Sequence, residues 1–232
     1  MRPMRPVRPV RAVRATVLLA SALAVIAVPV EAQTSPGLPR PQPPAIGLRA
    51  YGFADSTEMT AVETFRATLG STTFEGIGGG LEVLRLWEGV FARLAYSSSN
   101  RTGERVAVID TTTIPLGIPM RIELSPLEAG AGWRGDLGRN PVVGIYGGAS
   151  LVRMRFRQES DFAQRDEEFD ETFNGYSVFG GLDVTIASWV MIGAEAQYRR
   201  VPGGLGQSGV SQVFGETDLG GTTLRVMVGI RR

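Results

Sequence analysis

This sequence contains no cysteine, no histidine and no lysine. Without cysteine it forms neither disulfides nor thiolate metal sites, and we expect no lipoprotein anchor, since that anchor is built on a cysteine thiol. Without histidine it lacks the commonest general base and the commonest metal ligand of proteins. Without lysine it cannot carry a Ser–Lys catalytic pair. We therefore predict no catalytic residues, no metal site and no cofactor.

The first 32 residues have the order of a secretory signal peptide. Five arginines up to Arg14 form a basic leader, the stretch 16–30 is largely apolar, and small residues flank a cut after Ala32. An uncleaved N-terminal anchor is the alternative, but a spanning helix needs about 20 residues, so the short stretch favours cleavage. The predicted organisation is a signal peptide at 1–32, a Pro-rich lead-in at 33–44 and one domain at 45–232.

The chain after the leader carries little net charge. Removing 1–32 leaves 19 basic and 22 acidic residues, a net charge of −3. This balance provides no electrostatic footprint for nucleic acid, so we predict no nucleic-acid partner. No later segment reaches about 18 consecutive apolar residues, so the sequence predicts no transmembrane helix.

Apolar and polar residues alternate with a period of two through the C-terminal half. In 190–199 every second residue from Val190 is apolar or aromatic, and Glu195, Gln197 and Arg199 lie between them. Successive strand side chains point to opposite faces, so such a strand has one apolar and one charged face. The sequence predicts eight strands, at 45–54, 74–86, 90–99, 119–134, 141–157, 172–187, 190–200 and 221–231.

The predicted connections alternate in length, with long polar ones at 55–73, 100–118, 158–171 and 201–220. All long loops then lie at one end of an up-and-down sheet, as in outer-membrane barrels with short periplasmic turns. A soluble eight-stranded barrel shares the topology but has no need for this asymmetry. Two details complicate the pattern: 105–109 is able to extend a strand into the second long loop, and Pro126 would leave a gap in the fourth strand's ladder.

All three tryptophans belong to the short-turn end. Trp87 and Trp189 lie in short turns, and Trp133 precedes the remaining turn by two residues. In a membrane barrel they would form an aromatic girdle at the periplasmic interface, with Tyr96 and Tyr198 near the outer one. The alternative is that tryptophan is simply common near strand ends.

If the apolar faces point outward, seven of the eight strands project a charge inward at a similar height. These are Arg49, Glu82, Arg93, Glu128, Asp183, Glu195 and Arg225. An eight-stranded barrel is only wide enough for side chains to fill it, and buried charges persist only when paired. We predict a lumen plugged by salt bridges. On the fifth strand Ile145 occupies the matching level, and Arg153, Arg155 and Arg157 are expected to point inward higher up.

A soluble antiparallel sheet whose charged faces meet water explains the alternation equally well. It does not explain the leader, the loop asymmetry and the tryptophan rim together.

Two of the long loops carry further features. The loop 161–171 holds six carboxylates against one arginine, and is able to bind Ca²⁺ or to bridge divalent ions to lipopolysaccharide phosphates, although acidic loops are usually just solvated. The six are Asp161, Asp166, Glu167, Glu168, Asp170 and Glu171. In the first long loop, 60–63 fits a capping box and Gly70 is suited to end a helix, which predicts a short helix over the barrel mouth.

This pattern resembles the small eight-stranded outer-membrane barrels of the OmpA transmembrane-domain, OmpX and opacity-protein type. The resemblance covers about 45–232 and rests on architecture, on the glycine-rich segment 176–182, and on 214–226, which is similar to the end of uncharacterised bacterial barrel proteins. It implies an all-β fold: one eight-stranded antiparallel up-and-down transmembrane β-barrel in an outer membrane, with one short helix in the first long loop.

The resemblance implies a non-enzymatic structural or surface-interaction role. Barrels of this size that are enzymes, the lipid A deacylases and palmitoyltransferases, use a histidine with a serine, and this chain has no histidine. The expected partners are outer-membrane lipid, lipopolysaccharide and an unknown extracellular partner at loops 158–171 and 201–220. A narrow or gated pore and a soluble periplasmic barrel with an apolar ligand are the alternatives.

Overall fold

The alternating segments form eight antiparallel strands and two short helices in a computed structural model. It describes residues 46–109, 112–137, 142–160, 169–206 and 209–231, so the predicted signal peptide and lead-in lie outside the described residues. The strands are β1 (Gly47–Met59), β2 (Thr73–Trp87), β3 (Val90–Ile109), β4 (Thr112–Asp136), β5 (Val143–Ser160), β6 (Phe169–Ala187), β7 (Val190–Arg200) and β8 (Gly221–Arg231). The helices are α1 (Val62–Leu69) and α2 (Gly209–Phe214).

Each strand pairs with the next along the chain, and β8 pairs with β1 to close the ring. Following directly opposed residues once around the ring leads from Arg49 to Met59, so the register advances by ten residues per circuit. With spacings of about 3.3 Å along a strand and 4.8 Å between strands, that stagger implies a strand tilt of about 41°. The predicted eight-stranded antiparallel barrel is confirmed.

The second predicted long loop, 100–118, is wrong, because β3 and β4 continue as a paired hairpin through Ile109 and Thr112. This hairpin extends beyond its last pairs with the neighbouring strands. On one side the last pair joins Ser99 to Gly76 of β2, and on the other it joins Met120 to Ser160 of β5. The β-branched and apolar residues of 105–109 and 112–114 favour a strand, which explains the extension. One irregularity interrupts the pairing, between Glu104 and Val106.

Pro126 lies within β4 and interrupts its ladder on one side. The β3–β4 pairing passes from Tyr96–Leu127 directly to Ser99–Leu124, whereas on the other side Pro126 lies opposite Met154 of β5. A proline has no N–H to donate, so the gap in the β3–β4 ladder falls where the pairing would require an N–H group from residue 126.

We call the part of the barrel nearer the short turns its lower half and the part nearer the helices its upper half. The outward face of the lower half is apolar on every strand, and we call this surface the apolar band. One exposed representative from each strand is Leu48, Leu81, Leu94, Leu127, Leu151, Leu182, Ile192 and Val226. The inward face holds rings packed against glycines. A Cβ on Gly132 would lie 2.7 Å from Cζ of Phe91, and a Cβ on Gly148 would lie 2.7 Å from Cζ of Phe179, so only glycine leaves room for these rings.

The upper interior is an apolar cluster, which we call the mouth core. It consists of Met59, Ala61, Phe65, Leu69, Phe74, Met120, Ile122, Leu124, Val152, Met154, Phe156, Val201 and Leu219. Helix α1 places Phe65 edge-on against Phe74, with ring centroids 5.3 Å apart. The predicted helix over the barrel mouth is therefore present, and α2 is an additional helix that the sequence did not reveal.

The predicted capping box at the start of α1 is wrong. The N-cap is Ala61, and it makes no side-chain cap hydrogen bond. Instead, the Glu216 carboxylate accepts the backbone N–H groups of Glu63 at 2.9 Å and Thr64 at 2.8 Å. Gly70 ends the helix in the left-handed conformation (φ 67°), as predicted. Within the described ranges, no helix is long and apolar enough to cross a membrane.

Candidate functional site

The buried charges of the lumen form two groups, and the first lies towards the short-turn end. Arg49 and Glu82 lie directly opposite each other on β1 and β2, and Arg49 Nε donates to Glu82 Oε2 at 2.6 Å. Arg49 Nη1 also donates to Asp183 Oδ2 of β6 at 2.8 Å. Arg134 of β4 forms a two-pronged ion pair with the same Asp183. Two guanidinium groups and two carboxylates therefore balance each other in this group.

The second group is organised around Glu128 of β4. Its carboxylate accepts hydrogen bonds from Arg199 at 2.7 Å, Arg225 at 2.8 Å and Arg93 at 3.0 Å, and from the Gln197 amide at 3.0 Å. These donors belong to β3, β7 and β8, so the contacts cross the interior of the barrel. One carboxylate thus holds three arginines together.

Two further carboxylates complete the second group. Glu195 accepts from Arg93 at 2.7 Å and from Arg225 at 3.3 Å, and Asp55 accepts from Arg225 at 3.4 Å. Aromatic rings support the same two arginines, because Cζ of Arg93 lies 3.4 Å from the ring centroid of Phe179, and Cζ of Arg225 lies 4.4 Å from that of Phe53. Three arginines and three carboxylates balance each other here.

All seven side chains predicted to face the lumen are buried in the structure. Three more join them in the ion pairs: Asp55, Arg134 and Arg199. We call these ten residues the lumen charge network, which contains five arginines and five carboxylates. A sequence signal for the additional three did exist, since they lie an even number of residues from Arg49, Glu128 and Glu195 on the same strands and so share their faces.

The expected inward positions on β5 are wrong. Ile145 is exposed, and Arg153, Arg155 and Arg157 lie on the outer surface. The inward positions are instead Val152, Met154 and Phe156, all members of the mouth core. The reason is that the interior at this height is filled by helix α1 and its apolar neighbours, so the apolar face of β5 turns inward there.

The five girdle residues lie exposed at the two rims of the apolar band. Trp87, Trp133 and Trp189 are each more than half exposed at the short-turn end, and Trp133 Nε1 donates to the carbonyl oxygen of Glu88 at 3.1 Å. Tyr96 and Tyr198 are exposed at the other rim of the apolar band. Tyr176, which was not among the predicted girdle residues, is exposed on the same surface.

Of the six carboxylates in the acidic loop, only Asp170 and Glu171 lie within the described residues. Arg155 Nε and Nη2 donate to Asp170 at 2.8 and 2.5 Å, and these hydrogen bonds hold the pKa of Asp170 below its usual range. Glu171 is exposed. The positions of Asp161, Asp166, Glu167 and Glu168 lie outside the described residues.

A closed antiparallel barrel with an apolar outer band and a charged interior is the architecture of an integral outer-membrane protein, because lipid requires apolar side chains outside and a ring without free edges. The family model described as outer membrane protein beta-barrel domain matches residues 18–231. The chain belongs to this family and is located in the outer membrane. The soluble periplasmic alternative is therefore wrong.

Two solved structures are similar to this chain at low sequence identity. The outer membrane protein OprG from Pseudomonas aeruginosa is 12% identical, with a TM-score of 0.50, over 81% of this chain and 96% of that one. Ail, the attachment invasion locus protein of Yersinia pestis, was solved in complex with the heparin analogue sucrose octasulfate. It is 15% identical, with a TM-score of 0.48, over 81% of this chain and 98% of that one. No curated protein matches this sequence significantly.

Proposed function

We propose that this protein is a non-enzymatic outer-membrane barrel with a closed lumen, which serves a structural or surface-interaction role. The observation that carries the proposal is the lumen charge network, because each of its five arginines forms an ion pair with one or more of its five carboxylates inside the barrel. A conducting pore needs water between charged walls. In this barrel the charged side chains of different strands contact one another directly.

The energetics of the network favour a closed lumen. Glu128 on β4 contacts Arg225 on β8, so opening a path along the axis would have to separate this buried ion pair and the others of the network. The space beside Arg49 and Arg134 has a volume of about 10 Å³, enough for a single water. At the other end, Val201 and Leu219 are fully buried in the mouth core.

The cell-surface end supports a contact role. The β3–β4 hairpin presents exposed Ile109, Ile114 and Leu116 beyond the rest of the barrel. The segment 201–220, which the sequence analysis assigned to partner contact, contributes Val201, Val210 and Leu219 to the interior. The extended hairpin is thus the more accessible surface for an extracellular partner, while the apolar band contacts outer-membrane lipid and lipopolysaccharide.

Conductance across a planar bilayer tests the closed lumen. The full chain is refolded into lipid, insertion is verified by a heat-modifiable band on an SDS gel, and single-channel current is recorded at several salt concentrations. We expect no current steps from the inserted wild-type protein. Stable, salt-dependent steps would overturn the proposal in favour of the narrow or gated pore.

A further inference from the structure

Four buried polar groups lie on the inward faces of β5, β6 and β7, just beneath the mouth core. They are the hydroxyls of Ser150 and Ser177, Nε of Arg199 and Oε1 of Gln197, and none has a hydrogen-bond partner within the described part of the chain. All four residues are no more than 4% exposed. A buried polar group without a partner costs free energy, so four together call for a physical explanation. We call these four residues the polar floor.

Strand pairing and one carboxylate bring the polar floor together. Ser150, Ser177 and Arg199 are directly opposed on neighbouring strands, so their Cα atoms are about 4.5–5.5 Å apart from one strand to the next. Glu128 accepts from Nη2 of Arg199 at 2.7 Å and from Nε2 of Gln197 at 3.0 Å. These two contacts leave Nε of Arg199 as a free donor and Oε1 of Gln197 as a free acceptor beside the same carboxylate.

The next inward residues above the polar floor are apolar. Val152 follows Ser150 on β5, and Val201 follows Arg199 on β7, each two residues further along its strand and therefore on the same face. Both valines belong to the mouth core, which lines the upper interior. Apolar walls above a few convergent polar groups are the usual composition of a small-molecule site.

Helix α1 closes this space from above, and three features make its closed position weak. An isolated helix of eight residues is marginal in water, so α1 depends on the burial of Phe65 in the mouth core. Its first N–H groups depend on Glu216, which belongs to another loop. Oγ1 of Thr64 is buried without a hydrogen-bond partner among the described residues, which costs free energy as long as the helix stays in place.

We infer that α1 is a lid over a binding site for an uncharged amphiphile, a primary alcohol on an apolar chain. The mouth core receives the chain, and the polar floor receives the hydroxyl, which accepts from Nε of Arg199 and donates to Oε1 of Gln197. A carboxylate head fits less well, because it has no proton to donate to Gln197. It would also add a charge beside three arginines that three carboxylates already balance.

The site is a blind cup that opens towards the cell surface. The lumen charge network lies below the polar floor and keeps its ion pairs when α1 moves, so ligand binding requires no pore. The inference therefore goes beyond the proposed function and does not depend on it. Current steps in a planar bilayer would refute the closed lumen and leave this site in place, whereas a silent barrel that binds no alcohol would refute only this inference.

Magnetic resonance of the arginine Nε–H groups tests the inference. The full chain, isotope-labelled on arginine, is placed in phosphatidylcholine nanodiscs and titrated with octanol, octane and octanoate, which differ only in the head. We expect octanol to shift the Arg199 Nε–H signal until it saturates. Octane and octanoate should bind about tenfold more weakly, because they leave the polar floor unpaired. Arg49 Nε, which already donates to Glu82 at 2.6 Å, is the internal control and should not respond.

Two variants separate the site from its lid. Ser177→Ala removes one hydroxyl of the polar floor and should weaken octanol binding about fivefold. Glu216→Ala releases the start of α1 and should strengthen apparent binding about fivefold, because less free energy is then needed to open the lid. The matched control Glu75→Ala removes an exposed carboxylate of β2 and should leave binding unchanged. A heat-modifiable band shows that each barrel is folded.

Three results would overturn the inference. An Arg199 signal that does not respond to octanol would mean that the polar floor binds only water. Octane or octanoate binding as tightly as octanol would remove the role of the hydroxyl. A Glu216→Ala barrel that binds octanol no more tightly than the wild type would show that α1 is not a lid. The ligand series on the wild-type barrel decides the first two results even if a variant fails to fold.

Discussion

The lower and upper halves of the barrel have opposite polarity. At the level of the apolar band, β5 and its neighbours turn apolar side chains outward, and the lumen holds the charge network. Above Leu151 the same strand turns Arg153 outward and Val152, Met154 and Phe156 inward. The alternation and the register continue unchanged through this boundary. What changes is the type of residue on each face, since the apolar residues pass from the outer face to the inner one.

The difference shows that the surroundings decide which face of an alternating strand is apolar. Lipid surrounds the lower half, so the outer face must be apolar there, and charges are admitted to the interior only as neutral groups. Water surrounds the upper half, so burial of apolar side chains supplies the driving force there, as in a soluble protein. Within this single sheet, the apolar face therefore points outward in the lower half and inward in the upper half.

The largest effect is expected from a substitution in the lumen charge network, which belongs to the lower half. We expect Glu128→Ala to lower the free energy of unfolding by about 3–5 kcal/mol, because Arg93, Arg199 and Arg225 lose their shared carboxylate and remain buried. Urea unfolding in lipid vesicles measures the change. The control Glu104→Ala removes an exposed carboxylate of the upper hairpin and should cost less than about 0.5 kcal/mol. Equal losses would mean that Glu128 is exposed to water.

The next effect concerns the mouth core. Phe65→Ala leaves a cavity beside Phe74 and should destabilise the upper half by about 3 kcal/mol. Amide hydrogen exchange should become faster in α1 and 201–206 but stay slow in the part of β8 that faces the lipid. Val213→Ala, on an exposed side chain of α2, is the control and should leave both rates unchanged. Faster exchange throughout β8 would show that the two halves unfold as one unit.

The smallest effect concerns the contact between two loops in the upper half. Glu216→Ala removes the acceptor for the first N–H groups of α1 and should cost about 1 kcal/mol of local stability. The amides of Glu63 and Thr64 should then exchange faster. Glu75→Ala, an exposed carboxylate on β2, should leave them unchanged. If the Glu216 variant exchanges like the wild type, another group caps the helix.

The strands and the inward charges of the lower half could be predicted from the sequence because both depend on a period of two. That period identifies two faces, and lipid dictates which of them points outward. It also places Arg134 and Arg199 on the inward face, but the predicted set of lumen charges took one residue per strand and so left them out. Asp55 was missed because the predicted first strand ended at residue 54. On β5 the prediction failed at Ile145 as well as above Leu151, because period alone does not state which of the two faces points outward.

The remaining failures have non-local causes. Glu216 lies more than 150 residues from the N–H groups it accepts, so the local sequence pointed instead to a capping box with Thr60. The pairing of 100–109 with the following residues was concealed by the glycines and prolines at 103, 115, 117 and 119, which are typical of loops. Tertiary contacts and hairpin pairing overrode the local signals at both places.

Glu128 also constrains how the protein assembles. Its partners on β7 and β8 follow it by about 70 and 97 residues, and they reach it only once the last strand has joined the first. Hairpins entering the membrane one at a time would carry Arg134, Asp183 and Arg199 into hydrocarbon without their partners on other hairpins, at several kcal/mol each. The barrel therefore has a steep energetic reason to close before or while it enters the bilayer, and a chain lacking β8 should remain outside it.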